Sequence, residues 1–392
     1  MTNDTVASFE LFKVAPRWLL LRVETKEGLV GWGEPNLEGF SDTIATATTE
    51  LMREVIGEDP SRIQYIWQKL TKCPFYAGLG PVLMSALAGI DQALWDIQGK
   101  RLQVPVHQLL GGAVRDRMLA YRWVGGDNNS PEQAAEEAAK VLETTNFKNL
   151  KMNACGPMAY LDTGKVVAAA EQRMSAVRQT VGPDIGIGLD FHGRCKVPTV
   201  LQLIEALSGY DPLFFEEPVR VQCLEDFPRI RASTSVPIAT GERMFSSHEF
   251  ARLLAAGGVD IIQPDLSHAG GISHVFDIAR MAETYEVALA PHCPLGPIAL
   301  ASCLQVDFCS ISAILQECSI GIHYNEEGGA DLLDYLDNPE VFDIDSEGHF
   351  ALPTEPGLGL KINETAVRAA AKKGHQWKDR VWNLADGSPT TW

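Results

Sequence analysis

Short apolar runs alternate with longer helix-like segments from about Leu119 onward, and this alternation constrains the fold more than any other feature. Each run is rich in β-branched, aromatic or small apolar residues and ends near a glycine, a proline or a polar residue, as buried strands do. Strands separated by helices predict βα units in a parallel sheet, and eight of them suggest a closed (β/α)8-type barrel. The eight runs are LAYRWVGG, NLKMNACG, IGIGLDFHG, PLFFEEPV, VPIATGER, VDIIQPDLS, VALAPHCP and ISAILQECS.

Residues 1–118 show a different pattern, which predicts an α+β domain. Two strand-like runs joined by a short Lys-Glu-Gly turn, at residues 19–35, predict a hairpin. An amphipathic helix is expected just after Pro81, because apolar residues then recur at intervals of three and four. These residues are Leu83, Leu87, Ile90, Leu94 and Ile97. The barrel pattern covers residues 119–350, and the turn-rich segment 351–392 is expected to pack back against the N-terminal domain.

The composition excludes several classes of function. The chain has 392 residues, of which 45% are hydrophobic, and this is enough to bury a sizeable core. Its formal net charge of −18 argues against nucleic-acid binding, because no basic stripe is present to neutralise phosphates. Residues 1–13 lack a signal-peptide pattern and no apolar stretch is long enough to cross a bilayer, so we expect a cytoplasmic protein without a membrane partner. The eight cysteines form no CxxC pair and are expected to be reduced thiols.

Six successive runs end in an ionisable side chain, and the intervals between these residues are 26, 26, 23, 27 and 25. Each interval matches one βα unit, so the six side chains should gather at the carboxyl ends of neighbouring strands, where barrel enzymes have their active sites. Carboxylates clustered in this way repel one another unless a positive charge compensates them. The six residues are Asp190, Glu216, Glu242, Asp265, His292 and Glu317.

A divalent cation is the simplest compensation. Asp190, Glu216 and Glu242 would supply three hard oxygen ligands from adjacent strands, and this set suits Mg²⁺. Zinc is less suitable because it favours histidine or cysteine ligands. Glu217 is the weaker candidate of the Glu-Glu pair, because adjacent strand residues point to opposite faces. The sequence therefore predicts one Mg²⁺ per subunit.

Six motifs, in order along the chain, resemble those of the enolase superfamily, in its mandelate racemase-like subgroup, and within it those of the D-galactonate dehydratases. The motifs are GLDFHGR, EEPV, GERMFS, QPDLSHAGGI, APHCPLGPIALA and GIHYN, and the likeness extends over residues 16–360. The resemblance implies an α/β fold, a modified TIM barrel of the (β/α)7β type with an N-terminal α+β capping domain, in a homo-oligomer. It also implies Mg²⁺-dependent dehydration of an acid sugar, D-galactonate, to 2-dehydro-3-deoxy-D-galactonate.

The resemblance further implies abstraction of the proton α to the substrate carboxylate, with Mg²⁺ stabilising the resulting enediolate. His292 is the candidate base, and Asp265 on the neighbouring strand can bond its other ring nitrogen, fix its tautomer and raise its basicity. Lys151 would contact the substrate carboxylate. Glu317, if protonated, would donate a hydrogen bond to the enediolate oxygen.

Two positions favour elimination over racemisation. Racemases of the subgroup carry Lys-x-Lys on the second strand, whereas this chain has Lys151 and then Asn153, and asparagine cannot accept a proton. His192, two residues after Asp190, would instead protonate the departing C3 hydroxyl from the side opposite His292. We therefore expect Lys151, Asn153, His192 and His292 to contact the substrate.

Several alternatives stay open at this point. The substrate could be another aldonic acid, because capping-domain loops around residues 32–41 would read its stereochemistry. A racemase or epimerase of 2-hydroxy acids is less favoured because of Asn153, and a non-catalytic scaffold or sensor is disfavoured by the complete ligand set. Arg194 and His268 lie on loops at the same face, where a contact with substrate hydroxyls and a turn or surface role are equally open.

Overall fold

The computed structural model describes residues 4–74, 80–124, 126, 129–162, 164–322, 331–375, 377 and 381–391. The GIHYN motif begins at residue 321, and its last three residues lie outside the described residues. Within the described ranges, no helix combines the length and apolar composition that crossing a bilayer requires.

An antiparallel sheet and helices form the N-terminal part of the chain. These elements are β1 (Val6–Val14), β2 (Trp18–Thr25), β3 (Val30–Gly33), α1 (Ser41–Val55), α2 (Ile63–Lys72), α3 (Pro81–Leu102) and α4 (Val106–Leu109). The strand order is β1-β2-β3, so β2 and β3 form the predicted hairpin, and α3 is the predicted helix. Helix α3 lies directly on β3, where a Cβ at Gly33 would collide with the carbonyl of Gly89. Glycine at this position therefore permits the close approach of helix and sheet.

Eight parallel strands form the predicted barrel. They are β4 (Arg117–Trp123), β5 (Asn149–Asn153), β6 (Gly186–Asp190), β7 (Phe214–Glu216), β8 (Ile238–Thr240), β9 (Ile261–Ile262), β10 (Ala288–Leu289) and β11 (Gln316–Cys318). Neighbours follow chain order from β4 to β10, and β11 pairs with β4. The remaining gap is closed by backbone hydrogen bonds, because Leu289 donates to the Ser312 carbonyl and Ile314 donates to the Leu289 carbonyl.

A helix follows each of the first seven barrel strands. These helices are α5 (Pro131–Thr144), α6 (Gly164–Val181), α7 (Val197–Ser208), α8 (Phe227–Arg231), α9 (Ser247–Ala256), α10 (Ile272–Thr284) and α11 (Pro297–Asp307). The described residues between β11 and β12 (His349–Ala351) contain short 3₁₀ turns at Leu332–Tyr335 and Pro339–Phe342, and β12 pairs antiparallel with β4. The described barrel is therefore of the (β/α)7β type, rather than the (β/α)8 type that the eight runs alone suggest.

The barrel interior is apolar beneath its carboxyl-end rim. Tyr121, Phe214 and Leu315 belong to one buried cluster inside the strands. Residues two apart on a strand share a face, so Phe214 lies one layer below Glu216, and Leu315 one layer below Glu317. The charged side chains at the carboxyl ends of the strands therefore lie directly above an apolar layer of low dielectric constant. Their mutual interactions are stronger there than in water.

The N-terminal domain lies at the same end of the barrel as the polar strand ends. Its Trp67 Nε1 donates to the carbonyl of Gly270 at 2.9 Å, and its Trp95 Nε1 donates to the Ser273 hydroxyl at 2.9 Å. Both acceptors lie in or just after the loop that follows β9. These hydrogen bonds fix the domain over the carboxyl ends of the strands.

The C-terminal segment packs in two places. Helix α12 (Glu364–Lys373) lies against β1, where Arg368 donates to both carboxylate oxygens of Glu10 at 2.9 and 2.7 Å. Strands β13 (Trp382–Asn383) and β14 (Pro389–Thr390) form a hairpin that contacts the barrel loops. There Thr390 Oγ1 donates to the Met158 carbonyl at 2.7 Å, in the loop after β5. The end of the chain thus reaches the rim of the barrel as well as the N-terminal domain.

Candidate active site

The polar strand ends form a tier across neighbouring strands. In the parallel register, Asp190 pairs with Asn153 on one side and with Glu216 on the other. Lys151 precedes Asn153 by two residues, so these two side chains share one face of β5. All four residues are buried, and Asn153 Oδ1 accepts a hydrogen bond from Trp123 Nε1 at 3.3 Å.

Asp190, His192 and Glu242 form a compact group in which one potential ligand atom from each lies within 4.8 Å of the others. His192 Nε2 is 2.9 Å from Asp190 Oδ2, and the backbone N–H of His192 donates to Asp190 Oδ1 at 2.7 Å. Asp190 Oδ2 and Glu242 Oε2 are buried and accept no hydrogen bond of normal geometry from the described residues. Buried carboxylate oxygens whose hydrogen-bonding capacity is not filled suit a hard divalent cation, so this group fits a metal ion.

The charges around this group keep both of its carboxyls ionised. Burial alone would raise the pKa of Asp190, but the nearby His192 and Lys151 hold it below its ordinary value. Burial also opposes ionisation of Glu242, yet His292 and Arg243 lower its pKa. Both side chains are therefore anions at neutral pH, as cation ligands must be.

Glu216, the third predicted ligand, has different partners. Its Oε1 accepts a hydrogen bond from Lys151 Nζ at 2.8 Å, and its Oε2 accepts one from Gln263 Nε2 at 2.8 Å. Burial, followed by the charge of Asp190, raises its pKa well above the ordinary value. The structure thus groups two predicted ligands, Asp190 and Glu242. The third, Glu216, is hydrogen-bonded to Lys151 instead.

Lys151 supplies much of the positive charge that the sequence analysis assigned to a cation. Besides Glu216, its Nζ lies 3.5 Å from Asp190 Oδ2 and 2.9 Å from Glu317 Oε1. Burial alone would lower the pKa of Lys151, but these carboxylates raise it well above its usual value. Glu317 also accepts the backbone N–H of Cys293 at 3.2 Å, next to His292. One ammonium group therefore links three of the six polar strand ends.

His292 and Asp265 form a hydrogen-bonded pair across β9 and β10. His292 Nδ1 lies 2.8 Å from Asp265 Oδ2, and Asp265 Oδ1 accepts the backbone N–H of Ser267 at 2.8 Å. The other ring nitrogen, Nε2, faces Glu242 Oε2 at 3.2 Å. Burial opposes protonation, but the carboxylates of Glu242, Glu317 and Asp265 raise the pKa of His292 well above its usual value. This arrangement leaves Nε2 as the nitrogen that faces the cation-binding group.

Glu217 is closer to the site than the alternation of strand faces indicated. Strand β7 ends at Glu216, and Glu217 has a φ of 41°, in the left-handed region that non-glycine residues rarely adopt. Its carboxylate is fully buried, lies 3.2 Å from Arg243 Nε and accepts no hydrogen bond of normal geometry from the described residues. Burial, and then the charge of Glu242, raises its pKa to about 8. Glu217 does not follow the alternation of strand faces because strand β7 has already ended.

Two residues of the N-terminal domain hold the loop that follows His292, and sequence reasoning missed both. Arg17 Nη2 donates to the carbonyl of Pro294 at 2.8 Å. The buried Glu34 carboxylate accepts the backbone N–H groups of Gly296 and Ala299 at 2.7 and 3.1 Å, at the start of α11. Helix N-termini favour carboxylate caps. Burial nevertheless raises the pKa of Glu34 to about 8, and the backbone N–H groups of Ala299 and Gly296 only partly offset this. The available sequence signal is the position of Glu34, a charged residue directly after the uncharged strand β3.

Arg194 and His268 have protein partners in this structure. His268 Nδ1 lies 2.9 Å from the Ser85 hydroxyl, and its Nε2 lies 3.4 Å from Glu38 Oε2, so both partners come from the N-terminal domain. Arg194 Nη2 lies 2.8 Å from His192 Nδ1. The question left open by the sequence is thus partly answered, because both loop residues join other polar groups of the rim.

Comparisons with known proteins agree with this geometry. The model of the mandelate racemase / muconate lactonizing enzyme N-terminal domain matches residues 12–111, and the enolase C-terminal domain-like model matches residues 133–366. A D-galactonate dehydratase of Pectobacterium atrosepticum is 52% identical over 387 residues, which cover 99% of this chain and 100% of that protein. A D-galactonate dehydratase of Ralstonia pickettii is 52% identical over 381 residues, covering 97% of this chain and 98% of that protein.

Solved structures give the same result. The crystal structure of an enolase from Agrobacterium radiobacter, bound to sodium and L-malate, has a TM-score of 0.87 and 29% identity, and covers 98% of this chain and 99% of that one. The chain therefore belongs to the enolase superfamily, in the mandelate racemase / muconate lactonizing enzyme family.

Proposed function

We propose that this protein is a hydro-lyase that dehydrates D-galactonate to 2-dehydro-3-deoxy-D-galactonate. The observation that carries the proposal is a pair of histidines, His192 and His292, that both face the Asp190–Glu242 carboxylates through Nε2. Two relatives named D-galactonate dehydratase, each 52% identical over nearly the whole chain, support the substrate. One histidine can take a proton and the other can give one, as an elimination requires.

The first half of the proposed reaction removes the C2 proton. His292 Nε2 accepts it, while Asp265 holds Nδ1 and stabilises the imidazolium that forms. A Mg²⁺ ion held by Asp190, Glu216 and Glu242 would supply positive charge against the substrate carboxylate. Lys151 adds a second positive charge in the same tier. Glu216 would then exchange one of its present partners, Lys151 or Gln263, for the ion.

The second half expels the C3 hydroxyl. His192 Nε2 donates its proton to the departing oxygen, so that water leaves and the C2–C3 enol forms. The enol then tautomerises: C3 takes a proton from solvent, the enol oxygen releases one to solvent, and the 2-keto-3-deoxy acid results. Asn153 stands on β5 at the position where the resemblance would place a lysine base in a racemase, and its amide cannot take a proton from C2.

The proposal is tested by incubating the Mg²⁺-loaded protein with a library of aldonic and aldaric acids and measuring 2-keto acid formation. We expect D-galactonate to be the best substrate. Formation of keto acid from a different aldonate alone would correct the substrate, and deuterium entering C2 with inversion in recovered galactonate would replace dehydration by epimerisation.

Isotope exchange in D₂O separates the two histidines. The His292→Asn variant should neither dehydrate galactonate nor exchange its C2 hydrogen, because no carbanion forms. The His192→Asn variant should lose dehydration and still place deuterium at C2 with retained configuration. Exchange by His292→Asn and none by His192→Asn would reverse the two roles.

A further inference from the structure

Arg194 contacts the ring of His192 on the nitrogen that does not face the carboxylates. Its Nη2 lies 2.8 Å from His192 Nδ1, and its Nη1 donates to the Cys155 carbonyl at 2.6 Å. Arg194 is 2% exposed, so these contacts are made away from competing water. The guanidinium therefore connects the loop after β6, which carries His192, to the loop after β5.

A guanidinium group is only a hydrogen-bond donor, so His192 Nδ1 must accept with its lone pair. In a neutral imidazole the single ring proton then sits on Nε2, the nitrogen that lies 2.9 Å from Asp190 Oδ2. Asp190 favours the same tautomer in this structure, but a cation on Asp190 would compete for that oxygen. Arg194 then keeps the proton on the nitrogen facing the site, and its positive charge offsets the negative charge left on the ring when Nε2 gives up that proton.

The C-terminal hairpin contacts Arg194 in turn. The Arg194 Cζ atom lies 4.6 Å from the centroid of the Trp382 ring, within the range of a cation–π interaction. Trp382 begins β13, and Thr390 of β14 bonds the Met158 carbonyl in the same loop that carries Cys155. The hairpin thus contacts Arg194 itself and also the loop after β5 to which Arg194 is hydrogen-bonded.

We propose that Arg194 is a positioning residue that fixes the Nε2–H tautomer of His192, and that Trp382 of the C-terminal hairpin keeps Arg194 in place. The inference rests on the proposed function in one respect, namely that His192 is the acid of the second half-reaction. Proton abstraction has separate support, because His292 is oriented by Asp265. Loss of Arg194 should therefore affect elimination more than exchange at C2.

The first experiment compares the two half-reactions in variants of the full-length, Mg²⁺-loaded protein. Arg194→Met should lower the dehydration rate by about 100-fold, the lower part of the range for a general acid, while C2 exchange in D₂O falls much less. Arg194→Lys retains a donor-only cation and should recover most of the dehydration. Arg368→Met, a matched substitution on α12, should leave both rates near wild type. Equal losses of exchange and dehydration in Arg194→Met would overturn the proposal.

Trp382 provides a milder perturbation on the same line of contacts. Trp382→Leu removes the aromatic face and should lower dehydration by about 5-fold, whereas Trp382→Phe retains a face and should stay within 2-fold of wild type. If Trp382→Leu and Trp382→Phe have the same dehydration rate, the aromatic ring does not hold Arg194 in place. These substitutions lie on the surface hairpin, so they remain informative if Arg194→Met fails to fold.

A second readout does not depend on turnover. With ¹⁵N-labelled histidine in the Mg²⁺-loaded protein at pH 8.5, the ring ¹⁵N shifts of His192, assigned by their loss in His192→Gln, report its tautomer. Wild type and Arg194→Lys should show Nε2–H, and Trp382→Leu and Arg194→Met should show increasing Nδ1–H. An unchanged tautomer in both weakened variants would refute the positioning role. A changed tautomer in a protein that does not dehydrate galactonate would refute the proposed function and leave the positioning role intact.

Discussion

Asp307 allows a quantitative test of how burial and charge act in this fold. It is the last residue of α11, it is fully buried, and neither carboxylate oxygen has a hydrogen-bond partner among the described residues. Burial raises its pKa well above the ordinary value, and the charge of Arg115 only partly offsets this. The folded protein therefore keeps this proton to a higher pH than the unfolded chain does.

The sign of the effect follows from proton linkage. Above the unfolded-state pKa of about 4, the unfolded chain binds fewer protons at this position than the folded protein, so the free energy of unfolding falls as pH rises. For one such group the slope is about 1.4 kcal/mol per pH unit, until pH reaches the folded-state pKa. Asparagine has the size of a protonated aspartate and does not ionise. The stability advantage of Asp307→Asn over wild type should therefore grow from pH 5 upward, by at most about 1.4 kcal/mol per pH unit, until the pH reaches the folded-state pKa.

The assay is urea unfolding of both proteins at equal concentration at pH 5, 6 and 7, followed by circular dichroism with a check of reversibility. The difference between the two proteins cancels the other titrating groups. Asp260→Asn is a suitable control, because Asp260 is partly exposed and paired with Arg231 at 2.6 Å. Parallel pH profiles for wild type and Asp307→Asn would show that the carboxyl is paired or hydrated in the folded protein.

Three further predictions concern the site. Chelation should abolish keto-acid formation and Mg²⁺ should restore it, as measured by a coupled carbonyl assay, and full activity in chelator would contradict the cation site. Asp265→Asn should lower kcat and shift the acid limb of the kcat/KM–pH profile to lower pH, because the Asp265 carboxylate, after Glu242 and Glu317, raises the pKa of His292. Gly296→Ala should lower both the melting temperature and kcat, because a new Cβ would lie about 2.7 Å from the Glu34 carboxylate oxygens; an unchanged melting temperature would show that the loop adapts.

The positions of the polar strand ends could be predicted because they follow from spacing alone. Intervals of 23 to 27 residues place a side chain on successive strands of a parallel barrel, whatever the intervening helices contain. The partner of each side chain could not be predicted in the same way. Glu216 faces Lys151 and Gln263, from strands 65 and 47 residues away, and this choice depends on the depth and rotamer of each side chain.

Contacts between distant segments were also outside the reach of sequence patterns. Glu34 accepts a hydrogen bond from Gly296, which lies 262 residues further along the chain. Trp382, close to the C-terminus, packs its ring against the Arg194 guanidinium. Neither pair is marked by a periodicity, because each residue belongs to a loop or to the edge of an element. The fold class depends on repeated local patterns and could be predicted, whereas the supports of the site depend on how the domains meet.

The two proposed proton-transfer groups are held from opposite ends of the chain, and this separation has a measurable consequence. Arg17 and Glu34 of the N-terminal domain bond the backbone just after His292, so Glu34→Gln should disturb the base. Proton abstraction precedes elimination, so that variant should lower C2 exchange and dehydration by the same factor. Trp382→Leu should lower dehydration alone, since it acts on the later step through Arg194. If Glu34→Gln lowered dehydration and spared exchange, the capping of α11 would have to act on His192 rather than on His292, and the assignment of separate supports would be wrong.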